Sequence, residues 1–152
     1  MTITNSPITG GCLCRALRWE SSEAPSDGGY CHCRNCQKAY GGIFFPWLIF
    51  DWRSFRFTQG NPHYYRSAPI AQRGFCRECG SPVVHRYDDQ SFVSVPVGTL
   101  DYPGDWSLNR ENWCGHVFLE SKVGWHELTD DLPQHQRSAK YADKAYSDES
   151  KK

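Results

Sequence analysis

The sequence predicts a mainly β, single-domain protein of small antiparallel sheets tied together by cysteine knuckles, and three observations predict it. The chain has 152 residues, enough for one sizeable hydrophobic core and short for two domains. Its middle reads as short β-branched and aromatic runs cut by Gly, Pro, Asn and Asp, the punctuation of hairpins. Seven of its eight cysteines fall in three tight clusters that must be brought together by folding.

In chain order, strands are expected at 13–19, 43–50, 54–57, 63–66, 83–87 and 92–97, each a run of apolar, aromatic or β-branched residues. Gly60-Asn61-Pro62 and Asp88-Asp89 stand between strand candidates and supply turn chemistry. One short helix is expected at 35–40, ended by Gly41-Gly42. A last strand is placed at 116–123, and Asp130-Asp131-Leu132-Pro133 breaks regular structure after it. The domain therefore spans 1–133. From 134 to 152 the composition turns polar, with Tyr141 and Tyr146 its large apolar groups, so a solvated, disordered or loosely docked tail is expected there.

Composition excludes several classes of function. Seventeen Lys plus Arg balance seventeen Asp plus Glu, so no overall basic field exists to hold nucleic acid. The longest apolar run, 43–50, is interrupted by Pro46 and falls far short of the roughly 20 residues that span a bilayer. The start, MTITNSPITGGCLC, lacks the basic and apolar regions of a secretory signal, so a reducing, cytoplasmic compartment is expected and disulfides are disfavoured.

The cysteine spacing then points to metal. The clusters are Cys12-Leu13-Cys14, Cys31-His32-Cys33-Arg34-Asn35-Cys36 and Cys76-Arg77-Glu78-Cys79-Gly80, with Cys114 alone in a Trp113-Cys114-Gly115 turn. In an extended chain residues i and i+2 share a face, so Cys12 with Cys14, and Cys31 with Cys33, each offer two sulfurs to one side. Cys76 and Cys79 have knuckle spacing, and with Cys12 and Cys14 they complete the four thiolates of a closed, structural zinc site. Cys31, Cys33 and Cys36 supply three ligands, and a position left for water or substrate is the mark of a catalytic zinc. Buried thiols would be the bland reading, but two tight pairs in one chain argue against it. If Cys114 folds back as a fourth ligand, both sites are closed, and the alternative is a non-catalytic zinc-binding module that engages a protein partner. In an extended segment His32 points away from the face shared by Cys31 and Cys33, so it is expected to support the site or the core rather than to ligate, and His63, His85, His116, His126 and His135 show no paired spacing. Phe44, Phe45, Trp47, Phe50, Trp52 and Phe57 are expected to build core, with one or two of those near Gly41-Gly42 walling the open site.

Beyond the spacing, the words around the clusters resemble those of the glutathione-dependent formaldehyde-activating enzyme family, related to centromere protein V. They are Gly10-Gly11-Cys12-Leu13-Cys14, Cys31-His32-Cys33-Arg34-Asn35-Cys36-Gln37-Lys38, Arg73-Gly74-Phe75-Cys76-Arg77-Glu78-Cys79-Gly80 and Glu120-Ser121-Lys122, followed by Trp125 and Asp130-Asp131-Leu132-Pro133. The resemblance implies a β-tent fold with two zinc ions per chain, one on Cys12, Cys14, Cys76 and Cys79 and one on Cys31, Cys33 and Cys36. It implies a carbon–sulfur lyase that adds glutathione reversibly to formaldehyde, giving S-hydroxymethylglutathione. The expected partners are thus a small thiol and a small aldehyde, with no nucleic acid and no membrane. Arg34 and Lys38, the cations nearest the third ligand in sequence, are the expected partners of the thiol's carboxylates. Ionising seven thiols and binding two dications would take the formal charge from zero to about minus three, further from a polyanion binder.

Overall fold

A computed structural model of the chain describes residues 6–88, 91–103 and 113–138. Among these residues, ten strands and one α-helix follow one another: β1 Ile8–Gly11, β2 Arg18–Ser21, β3 Asp27–Cys31, α1 Arg34–Tyr40, β4 Phe45–Asp51, β5 Phe55–Gln59, β6 His63–Ala68, β7 Ala71–Phe75, β8 Pro82–Tyr87, β9 Phe92–Pro96 and β10 Trp113–Val117. The mainly β class read from the sequence is the observed one. β1, β2 and β5 form a three-stranded sheet, and the rest form a seven-stranded sheet in the order β10-β3-β4-β9-β8-β7-β6. Every pairing between neighbouring strands is antiparallel except β10 with β3, which is parallel.

β4 organises the interior. It was legible as a continuous apolar run because it is buried on both faces, and its side chains alternate between two cores. Leu48 and Phe50 join Trp19, Phe55, Val83, Val84, Val93 and Val95 between the two sheets. Phe45, Trp47 and Ile49 face the other way, toward Val117, Phe118 and the cluster of Cys31, Cys33 and Cys36. Stacking adds to the first core, with the Trp19 and Phe55 ring centroids 5.2 Å apart.

Several expected elements shift. Residues 13–17 are not a strand: the Arg15 N–H bonds the Cys12 carbonyl, Arg15 takes φ 67°, and the chain folds into a turn before β2 begins at Arg18. β3 carries Asp27-Gly28-Gly29, poor strand formers, yet a side chain at Gly29 would bring its Cβ to 2.7 Å from the Gly115 carbonyl oxygen. Glycine is there so that β10 can lie close. Trp113-Cys114-Gly115 is a bulged strand rather than a turn, and the strand expected at 116–123 ends at Val117, since Phe118 adopts φ 60° and a 3-10 turn follows. The chain stays docked past 133: the His135 N–H bonds the His116 carbonyl, and the Phe118 N–H bonds the Arg137 carbonyl. Asp89 of the expected turn and the tail from 139 lie outside the described residues. No helix among the described residues is long and apolar enough to cross a membrane.

One ion pair clamps the small sheet to the loop after β9. The Asp101 carboxylate accepts from Thr9 Oγ1 at 2.6 Å and from both Nη atoms of Arg18, the Nη1 bond being 2.9 Å. These bonds, Arg18's foremost, hold the Asp101 carboxyl below its usual range. A depressed pKa means stability that is present above the unfolded carboxylate value and lost as pH falls through the folded one. Asp101→Asn is therefore expected to cost about 1 kcal/mol at neutral pH and almost nothing near pH 2. Urea melts at both values check the difference.

Candidate metal centres

The first centre is built by two turns far apart in the chain, Cys14 and Cys76 being separated by 62 positions. Cys12 and Cys14 lie on the turn after β1, where the Leu17 N–H donates to Cys12 Sγ at 3.2 Å. Cys76 and Cys79 lie on the β7–β8 turn, closed by the Gly80 N–H to the Cys76 carbonyl at 2.8 Å. The Leu13 N–H donates to Ser81 Oγ at 3.1 Å and fastens one turn to the other. All four sulfurs lie within 4.8 Å of one another. The Cys12–Cys14 and Cys14–Cys76 Sγ separations are 3.6 Å and 3.7 Å. Zn–S bonds of about 2.3 Å in a tetrahedron require edges of about 3.8 Å.

As bare thiols, Cys79 and Cys14 are driven apart in pKa. Cys79 is drawn down to about 5 by the Ser81 hydroxyl and backbone N–H. Cys14 is pushed up to about 12: the Ala16 backbone hydrogen bond pulls it down, but burial and the sulfurs of Cys12, Cys79 and Cys76 prevail. A dication would remove that conflict, and four soft sulfurs at tetrahedral spacing suit Zn²⁺.

The second centre comes from one segment. β3 ends at Cys31, Cys33 caps α1 by accepting the Cys36 N–H at 3.4 Å, and Cys36 follows within the first turn. The helix closes on Gly41 at φ 68°, where its N–H bonds the Gln37 carbonyl, so the short helix expected from Gly41-Gly42 is present and begins at Arg34. The three sulfurs are buried and lie within 4.8 Å of one another. Cys33 is the acidic member, drawn to about 3 by hydrogen bonds from Cys31 and Cys36. Cys31 is pushed up by Cys33, by Cys36 and by burial. For Cys36, the Cys31 hydrogen bond lowers the value, yet Cys33 and burial push it to about 12. Here too a cation is needed before all three carry charge. Cys114 is outside this group among the described residues and lines the adjoining cavity.

Three surrounding features were not legible as site residues. Arg73 of β7 is buried, and its guanidinium donates to Cys36 Sγ at 3.6 Å and to the Tyr40 hydroxyl at 3.0 Å. Its only sequence signal was its place in the word that precedes Cys76. His32, fully buried, forms a 2.9 Å bond between its Nε2 and His116 Nδ1, and His116 Nε2 meets the Asp130 carboxylate at 3.0 Å. Burial first, and the neighbouring His116, lower His32 to about 4, and this chain of hydrogen-bonded rings braces the Cys31–Cys33 loop. His85, read as a strand residue, sits in the wall of a cavity of about 60 Å³ that Cys31 and Cys36 also line. Phe45 and Trp47 form aromatic wall there, as expected for one or two of the rings near Gly41-Gly42.

The two expected cations part company. Arg34 is exposed and donates to Gln37 Oε1, and Gln37 Nε2 in turn donates to the carbonyls of His32 at 2.6 Å and Ser121 at 2.9 Å. Arg34 thus serves the helix. Lys38 instead lines a groove of about 470 Å³ shared with Tyr40, Tyr65 and Arg73, beside α1.

A family model described as glutathione-dependent formaldehyde-activating enzyme matches residues 7–116. Among solved structures, a crystal structure of a Rhodobacter sphaeroides protein is similar, with 25% sequence identity and a TM-score of 0.51, over 61% of this chain and 87% of that one. No curated protein sequence matches the chain.

Proposed function

Because the chain belongs to the glutathione-dependent formaldehyde-activating enzyme family, we propose that it is a zinc-dependent carbon–sulfur lyase that adds a thiol such as glutathione reversibly to formaldehyde or another small aldehyde. The observation that carries the reading is a group of three buried sulfurs, Cys31, Cys33 and Cys36, beside a cavity, with no fourth sulfur within 4.8 Å of all three among the described residues. Cys12, Cys14, Cys76 and Cys79 would hold a structural zinc, and Cys31, Cys33 and Cys36 a second one. When bound, the second zinc would supply the positive charge that keeps an incoming thiol deprotonated at neutral pH, where a free thiol with pKa near 8.5 is mostly protonated.

The chain's own residues supply the rest. Three thiolates and one Zn²⁺ carry net negative charge, and the Arg73 guanidinium at Cys36 offsets it inside a poorly solvated site. Arg73 also lines the groove beside α1, together with Lys38. A groove of about 470 Å³ falls within the usual 300–1,000 Å³ of small-molecule sites. It suits the carrier part of a peptide thiol, with Lys38 set against a carboxylate. The His32–His116–Asp130 strut holds the ligand loop still while this happens.

Exchange spectroscopy on the thiol and hemithioacetal signals tests the reading. The protein is expected to raise the exchange rate of glutathione with formaldehyde above its substantial uncatalysed background. An unchanged rate across several thiols would leave the zinc-binding module as the better account.

A further inference from the structure

The cavity beside Cys31 and Cys36 carries more than the family reading requires. Its walls are mostly apolar, with Trp47 and Phe92 among them, and of the hydroxyl and imidazole side chains there, which include half-buried Tyr87 and Ser138, two are buried. They are His85 of β8 and Ser94 of β9, direct cross-strand partners that present to the same cavity. Both are buried, His85 being 4% exposed, and His85 Nε2 has no hydrogen-bond partner among the described residues. A buried ring nitrogen without a partner is costly in a folded protein unless a ligand or an ordered water uses it. Burial, and then the Arg73 guanidinium, push the imidazole well below its usual pKa, so the ring is neutral with one N–H to donate.

Size limits the ligand. A cavity of about 150 Å³ takes benzene, and one water occupies about 30 Å³ in the liquid. About 60 Å³ therefore holds two or three non-hydrogen atoms. A peptide thiol is far too large, whereas a short aldehyde fits.

Resting on the reaction assigned above, we propose that this cavity seats the carbonyl partner, an aldehyde of one or two carbons, with its oxygen held by His85 and Ser94 and its carbon toward the cysteine cluster. As the thiolate sulfur forms its bond to the carbonyl carbon, the π pair moves onto oxygen, where the N–H of His85 and the hydroxyl of Ser94 meet the growing charge. That oxygen takes up the proton the thiol released, so the addition balances without oxidant or reductant. The aromatic wall accepts a hydrogen or a methyl group and leaves no room for a ring.

The test uses the full chain at its measured zinc content. Formamide, an unreactive carbonyl of matching size, is titrated into protein labelled with ¹⁵N-histidine; the His85 ring signals are expected to shift saturably, and benzamide to leave them unmoved. In exchange spectroscopy His85→Leu is expected to lower the acceleration at least tenfold with zinc content and melting temperature unchanged, and His85→Gln, which restores a donor, to recover most of it. Acetaldehyde should be accelerated and benzaldehyde not. A wild-type rate in zinc-loaded His85→Leu, or His85 signals indifferent to formamide, would overturn the proposal. Should His85→Leu fail to fold, Ser94→Ala decides, with a severalfold loss expected and an unchanged rate contradicting. A wild type with no acceleration at all would overturn the reaction assigned above, and the formamide titration then decides the cavity by itself.

Discussion

Cys76→Ser is expected to lower the melting temperature by about 6–20 °C and to reduce soluble yield. Cys76 is 1% exposed and belongs both to the sulfur group that joins the β1 turn to the β7–β8 turn and to the core between the sheets. The substitution removes one of four thiolates from a closed site and buries a hydroxyl among apolar neighbours. Structural zinc sites contribute apparent folding energies of about 10–16 kcal/mol in small peptides. A chain with a core of its own depends on the ion less, and a loss of about 3–5 kcal/mol is a fair fraction of a domain's total stability. At roughly 2–4 °C per kcal/mol for a chain of this size, the shift is unmistakable by calorimetry. A melting temperature within about 2 °C of wild type would show that the four sulfurs do not share an ion that stabilises the fold.

Cys33→Ser is expected to behave in the opposite way. Cys33 caps α1 through its sulfur, and serine is among the best residues at that position, so the helix keeps its cap. The core it touches, built on Phe45, Trp47, Ile49, Val117 and Phe118, keeps its aromatic and aliphatic members. The fold should lose no more than about 1–2 kcal/mol, a shift of a few degrees. What goes is the third thiolate, and with it the second zinc. The acceleration of thiol–aldehyde exchange is expected to fall to the uncatalysed rate, at zinc content reduced by one ion per chain. Equal losses of melting temperature for Cys33→Ser and Cys76→Ser would contradict the division of roles between the two clusters.

How much of this was legible depended on the range of the interactions involved. β4 and β9 were plain because burial on both faces leaves runs of apolar residues, and the α1 stop was plain because Gly41 takes the left-handed cap that few other residues tolerate. β3 and β7 were not, since Asp27-Gly28-Gly29 and Gln72-Arg73-Gly74 are held as strands by their neighbours rather than by their own propensities. The cysteine clusters were legible as spacing, although Cys12 and Cys14 converge through a turn and not through an extended face. Arg73, His85 and the His32–His116–Asp130 strut were beyond reach of local pattern. His32 and His116 lie 84 residues apart in the chain, and His85 reaches the cavity only through the register of β8 with β9.

The central claim is that Cys31, Cys33 and Cys36 hold a zinc with room for one more sulfur, and zinc-edge X-ray absorption on the intact protein tests it most directly. The account predicts two zinc ions per chain, one with four sulfur neighbours and one with three. Adding glutathione should then raise the mean sulfur count per zinc by about one-half, in Cys114→Ser as in wild type. Four sulfurs around every zinc before any thiol is added, falling on Cys114→Ser, would contradict it and make both centres structural.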